Sequence, residues 1–118
     1  MGTYVDDMAA VHRPKHAPGR KYVLCHMIAD SAEELHQMAT LIGVDRKWYQ
    51  GDHYDIAITK KKLAIKNGAR EITRRELGAM AMLMRCGQPM GSPETAIARM
   101  HEYFKLVPIM NPSEKEDA

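Results

Sequence analysis

Lys47-Trp48-Tyr49-Gln50-Gly51-Asp52-His53-Tyr54-Asp55-Ile56-Ala57-Ile58 is the stretch on which the fold turns, because it supports two backbone readings with opposite consequences. In one, a strand covers Lys47 to Gln50 and a loop carries His53 and Asp55. In the other, the chain turns at Gly51-Asp52 and a strand runs from His53 to Ile58. Alternation then sets His53 and Asp55 on one face and Tyr54, Ile56 and Ile58 on the buried one. The first reading is preferred here. It places Asp52, His53 and Asp55 beyond the C-terminal end of a strand, where ligands sit in parallel α/β sheets. It also aims the N-terminus of a helix over Lys60–Asn67, capped by Thr59, at the same spot, which favours an anion. A strand starting at His53 and running parallel to its neighbours would move the pair to the opposite rim.

Upstream, Lys21 to Ala29 is the clearest strand, a nearly continuous apolar run broken by His26. Period-2 geometry groups Tyr22, Leu24, His26 and Ile28 on one face and Val23, Cys25 and Met27 on the other. Asp30 closes the strand, and Ser31 with Glu34 forms a capping box that starts a helix. Leu35, Met38, Ala39 and Ile42 make its buried stripe, His36 lies at the border of that stripe, and Gly43 ends it. A shorter strand over Thr3–Asp7 opens the chain and carries Asp6 and Asp7 at its end. His12 to Arg20 has Pro14, Pro18 and Gly19 among basic residues and reads as a loop, either a lid or an ordinary exposed connection.

Downstream, Arg70 to Thr73 is a short extended piece, and Thr73 with Glu76 caps a helix whose inner face is Leu77, Met80, Ala81 and Met84. Gly87 stops it. After a linker at Gln88–Gly91, Ser92-Pro93 starts a last helix with Ile97, Met100, His101 and Phe104 as its stripe. From Val107 the residues suggest a loosely held tail. Strands alternating with helices predict an α/β domain over residues 1–87. Its small, mainly parallel sheet of three to four strands is flanked by helices, and residues 88–118 form a C-terminal helical extension.

The 118 residues suit one domain with its own core. No apolar run approaches the roughly 20 residues of a membrane span and no secretory leader is visible, so the expected location is the cytoplasm. Cys25 and Cys86 lie far apart, without the spacing of a redox or zinc pair. The net charge of +2 hides a basic block from Lys60 to Arg85, read either as solvated helix faces or as an anion-facing surface. Gly-rich phosphate loops and the nucleophile elbow are absent. The methionines fall largely on helix stripes and serve the core.

What remains is histidine and carboxylate chemistry. Asp7, His26, His53 and Asp55 are the candidate catalytic residues, and His26, His53 and Asp55 the candidate ligands of a divalent metal. Asp6, Asp30, His36, Trp48, Tyr54, Lys60, Lys61 and Arg75 are candidate ligand-binding residues, the cations for phosphate and Trp48 for stacking. Each has a plainer reading: a histidine in an apolar strand is commonly a hydrogen-bonded core residue, and Asp30 beside a helix start commonly caps it. The accumulation is what favours a site.

Tyr4-Val5-Asp6-Asp7-Met8, His26-Met27-Ile28-Ala29-Asp30, Glu33-Glu34-Leu35-His36, Gly51-Asp52-His53-Tyr54-Asp55-Ile56, Gly68-Ala69 and Arg75-Glu76-Leu77, in that order, resemble a small bacterial and phage family, domain-of-unknown-function family 4031. The resemblance covers about the first 80 residues. The family commonly has Val-Pro where this chain has Ile56-Ala57. The resemblance implies that His26, Asp30, His36, His53 and Asp55 are motif residues, and it carries no activity. The expected function is binding, with hydrolysis as a further option, of a nucleotide or other phosphate-bearing small ligand at the His/Asp cluster, with a divalent metal as candidate cofactor. The alternatives are a non-enzymatic nucleotide or nucleic-acid binder and a phage accessory interaction protein. Nucleic acid is the weaker partner expectation, no membrane partner is expected, and self-association would use the C-terminal helix.

Overall fold

β3 (Tyr22–Ala29) is the spine of the sheet, because its eight residues are long enough to pair with three other strands. The computed structural model describes residues 2–110. In order the elements are β1 (Thr3–Asp6), β2 (Ala10–His12), β3, α1 (Ala32–Leu41), a 3-10 turn (Arg46–Trp48), β4 (Tyr54–Ala57), α2 (Ile58–Lys66), β5 (Arg70–Ile72), α3 (Arg74–Arg85) and α4 (Pro93–Met110). β1 pairs with the C-terminal part of β3 (Thr3 opposite Ala29) and β2 with its N-terminal part (His12 opposite Tyr22). β4 pairs with its middle, Leu24 opposite Ala57 and Met27 opposite Tyr54. Leu24 is shared by β2 and β4, and Met27 by β1 and β4, so β4 takes one edge of β3 while β1 and β2 share the other.

Three of these pairings are antiparallel, and only β1 with β5 is parallel. The five-stranded sheet is therefore mixed rather than mainly parallel. β1, β2, β4 and β5 run one way and β3 alone runs against them. The expectation failed because a helix between two strands permits a parallel crossover without enforcing one. After α1 the chain does not cross back. It makes the 3-10 turn, then reverses at Gly51, whose φ of 90° suits a residue without Cβ. Tyr49 bridges Tyr54 and the Gln50 amide donates to the His53 carbonyl, closing the turn.

Lys47 to Gln50 is thus not a strand, and the hairpin-like reading is the nearer of the two, with β4 antiparallel to β3. Ile58 begins α2 rather than ending the strand. β4 runs straight into that helix with Ala57 at its N-cap and no side-chain cap, so Thr59 lies inside the helix instead of capping it. A short strand, β2, also forms at the start of the connection read from His12, overlapping it at that residue and paired to the start of β3.

The two faces of the sheet are packed independently. Val5, Cys25, Met27, Ala29, Tyr54 and Ile56 meet α1 and α2 through Leu35, Met38, Ala39, Ile42 and Ala64. Ile28, Ile72 and Tyr4 meet α3 and α4 through Leu77, Met80, Ala96 and Met100. Thr73 and Glu76 form the capping box reciprocally. The inner face of α4 is Ala96, Ile97 and Met100, while His101 and Phe104 are exposed, unlike the expected stripe. The helix continues past Val107 to Met110, and the rest of the expected tail lies outside the described residues. No helix among the described residues is long and apolar enough to cross a membrane.

Candidate functional site

α3 and α4 cover Tyr4 and Ile28 on their face of the sheet but leave the β4 side of that face partly open. Four polar side chains meet there by register. Val5 pairs with Met27 and His26 with Asp55, so Asp6, His26 and Asp55 stand side by side on three adjacent strands. His53 joins them from the same face of the β4 approach, two residues before Asp55. The arrangement depends on β4 being antiparallel. The rim question raised by the sequence is answered by a cluster that crosses the face of the sheet: Asp30 and His53 lie at one end, Asp6 and Asp7 at the other.

Asp6 is fully buried. Its Oδ1 accepts the backbone N–H groups of His26 at 2.9 Å and Met8 at 3.3 Å, and its Oδ2 lies 2.8 Å from His26 Nδ1. A carboxylate so placed favours a proton on Nδ1, so that in the neutral imidazole the Nε2 lone pair of His26 points outward. His53 repeats the device. Its Nδ1 is 2.6 Å from Asp52 Oδ1, and Asp52 Oδ2 accepts from Arg85 Nε at 2.5 Å. Partial burial alone would push the Asp52 carboxyl up, but the hydrogen bonds from Arg85 and His53 outweigh it and hold it below the usual carboxylate range.

Both outward nitrogens face Asp55. Asp55 Oδ1 is 3.7 Å from His26 Nε2 and 3.4 Å from His53 Nε2, and all three atoms lie within 4.8 Å of one another. Asp55 Oδ2 is held by Gln50 Nε2 at 2.8 Å. Oδ1 is buried with no hydrogen-bond partner among the described residues. With both rings neutral and protonated at Nδ1, two lone pairs and an anionic oxygen converge on one point, an arrangement that a cation there would satisfy. Atoms about 2.05 Å from a tetrahedral ion are about 3.3 Å apart. The observed 3.4 and 3.7 Å are close to that edge.

The other sequence candidates lie elsewhere. Asp7 Oδ1 accepts the Arg74 amide at 2.8 Å, serving the first turn of α3. His36 and Tyr54 are hydrogen-bonded to each other at 2.7 Å among the side chains under α1, with Tyr49 stacked edge-on. They are on the opposite face from His26. Trp48 is 56% exposed beneath Lys47. Lys61 donates to Glu71 at 2.6 Å and to the Asp6 carbonyl at 3.3 Å; the Glu71 hydrogen bond raises its pKa. Lys60 stands on the first turn of α2 and Arg75 is exposed at the start of α3, neither joining the cluster. Asp30 is at the wall of a groove of about 590 Å³ that also takes in Gln50, Asp52, His53 and Arg85. That groove reaches the back of the cluster, where Asp52 meets Arg85, and not His26 or Asp55.

Gln50 and Arg85 were not among the candidates. Asp52 entered as part of the turn and as a neighbour of His53 and Asp55 on the same rim, without a role of its own. Their neighbour relation to the histidines comes from the turn at Gly51 and the return of α3, which no local pattern announces.

Fold and cluster together define a small mixed-sheet α/β domain with two carboxylate-backed histidines converging on a third carboxylate. The chain belongs to the family described as protein of unknown function, DUF4031, whose model matches residues 3–84. The match runs from β1 into the last turn of α3 and includes every residue of the cluster except Arg85. Neither the curated proteins nor the solved structures contain a match to the chain.

Proposed function

We propose that His26, His53 and Asp55 hold a divalent transition-metal ion, with a further coordination position open, and that the centre binds and hydrolyses a phosphate-bearing ligand. The observation that carries the reading is the convergence of His26 Nε2, His53 Nε2 and the unpartnered Asp55 Oδ1. Two imidazoles and one carboxylate form a donor set typical of catalytic zinc-class sites, and the carboxylate contacts on both Nδ1 atoms are the usual outer support. When bound, such an ion acts as a Lewis acid and lowers the pKa of water. With a single anionic ligand it retains net positive charge and favours an anionic ligand group.

The residues around it divide the remaining work. Asp6 and Asp52 fix the tautomers, Arg85 keeps Asp52 ionised, and Gln50 orients Asp55 so that Oδ1 faces the histidines. Lys60 and Arg75 lie apart from the cluster and Lys61 is engaged by Glu71 and the Asp6 carbonyl, so the phosphate is read by the centre itself.

Titration of metal-stripped protein with Co2+, followed by visible absorption, tests this. The expected result is a one-to-one complex with the absorption of a four- or five-coordinate ion, displaced by Zn2+ and lost in His53→Ala. A hexa-aqua-like spectrum, or binding unchanged in His53→Ala, refutes it.

A further inference from the structure

The hairpin of β2 and β3 projects past the end of β1. No acidic residue occurs between Asp7 and Asp30, while Arg13, Lys15, Arg20 and Lys21 all do. All four side chains are exposed, and none makes an ion pair with a described carboxylate, whereas Lys61, Arg70 and Arg85 are all paired. Two turns, Ala17 to Pro14 and Arg20 to Ala17, give the connecting loop its shape. Register determines what the ribbon faces. Ala10 is opposite Leu24 and His12 opposite Tyr22, so His12, Tyr22 and Leu24 share a face with His26 and Asp55. Tyr22 is 38% exposed and Val11 56% exposed, so the ribbon is not covered by the rest of the fold. Four residues of strand place Tyr22 about 13 Å from His26 along β3, roughly the length of four stacked nucleotides.

We infer that this ribbon is the docking surface for a polynucleotide strand, laid along the sheet face from Arg13–Lys21 towards His26, His53 and Asp55. The inference rests on the metal reading only for what happens at the far end; the charge and register of the ribbon stand without it. Four uncommitted cations gathered about the ribbon's connecting loop suit a polyanion better than a single phosphate, and the exposed Tyr22, on the face shared with His26, offers a base a stacking platform. A membrane of anionic lipid would also meet the cations. It is disfavoured because the ribbon's exposed apolar side chains, Val11 and Tyr22, lie on opposite faces of the hairpin and form no single patch that could enter a bilayer.

Fluorescence anisotropy with a labelled 12-nucleotide single strand tests the inference, beside vesicles containing phosphatidylserine. Four phosphate contacts predict about 50-fold weaker binding at 200 mM than at 50 mM salt. Replacing Arg13, Lys15, Arg20 and Lys21 together by Ala should abolish binding while Co2+ uptake is unchanged, and Tyr22→Ala should weaken it. No oligonucleotide binding, a flat salt response, binding retained in the quadruple variant, or stronger capture by vesicles overturns the inference. Loss of Co2+ binding with oligonucleotide binding intact would overturn the metal reading and leave the ribbon's role standing.

Discussion

Asp6 shows how much one side chain decides. It ends a four-residue strand, is buried, and yet makes no contact that a ligand on the open face would share. Its effect passes through His26: two backbone amides orient its carboxylate, and the carboxylate holds the proton on Nδ1. Asp6→Asn keeps the volume but offers an amide N–H where an acceptor stood, which favours the other tautomer and puts the proton on Nε2. Affinity for Co2+ should fall about 10- to 100-fold, and the nitrogen chemical shifts of the His26 ring should report the switched tautomer. Equal affinity with an unswitched ring would show that Asp6 serves packing alone. The importance of Asp6 was only partly legible: two adjacent aspartates end the strand, and the alternation that buries one and exposes the other depends on the register with β3.

At the scale of elements, the local signals were reliable where a few neighbouring residues determine the geometry. The Thr73–Glu76 box, the stripe of α1 and the span of β3 all follow from spacing within a turn or a strand. β4 was harder, because Lys47–Gln50 and His53–Ile58 have comparable strand composition and the choice is made by what α1 and β3 leave open. Gly51 carries that choice physically. Its φ of 90° is costly for a side chain with Cβ, although nothing lies within 4 Å of where that Cβ would stand. Gly51→Ala should therefore destabilise through backbone strain alone, by about 1–2 kcal/mol. Because the turn sets the register of β4, Co2+ affinity should drop with it. Urea denaturation beside the cobalt titration would show both; a neutral change in each would mean that another residue fixes the turn.

For the whole molecule, the two faces of the sheet have separate duties, and Cys25 and His26 mark the divide. His26 faces the half-open cluster, while Cys25 sits in the core beneath α1 and α2. Burial, reinforced by the nearby Asp6 charge, pushes the Cys25 thiol up to about 12 from 9.0. The unfolded chain therefore loses this proton before the folded one. Stability from this group is complete below pH 9 and declines as pH rises towards 12, by at most about 4 kcal/mol at the upper end. Urea midpoints measured from pH 8 to 11 should fall more steeply for the natural protein than for Cys25→Ala; parallel curves would remove the thiol as the cause. That opposite-facing pair was visible in the sequence from period 2 alone. The direction of the strands was not, since it depends on pairings between residues 10 or more positions apart.

The order of these parts along the chain has a consequence for synthesis. His26, His53, Asp55 and the carboxylates behind the histidines all lie before residue 56, and so do β1, β2, β3 and half of β4. α3 and α4, which cover the neighbouring part of the same face, follow later. A nascent chain released from the ribosome as far as α2 already possesses the three proposed ligands and their antiparallel scaffold, lacking the Arg85 contact. A metal captured at that point would tie β3 to β4 while the covering helices are still being made.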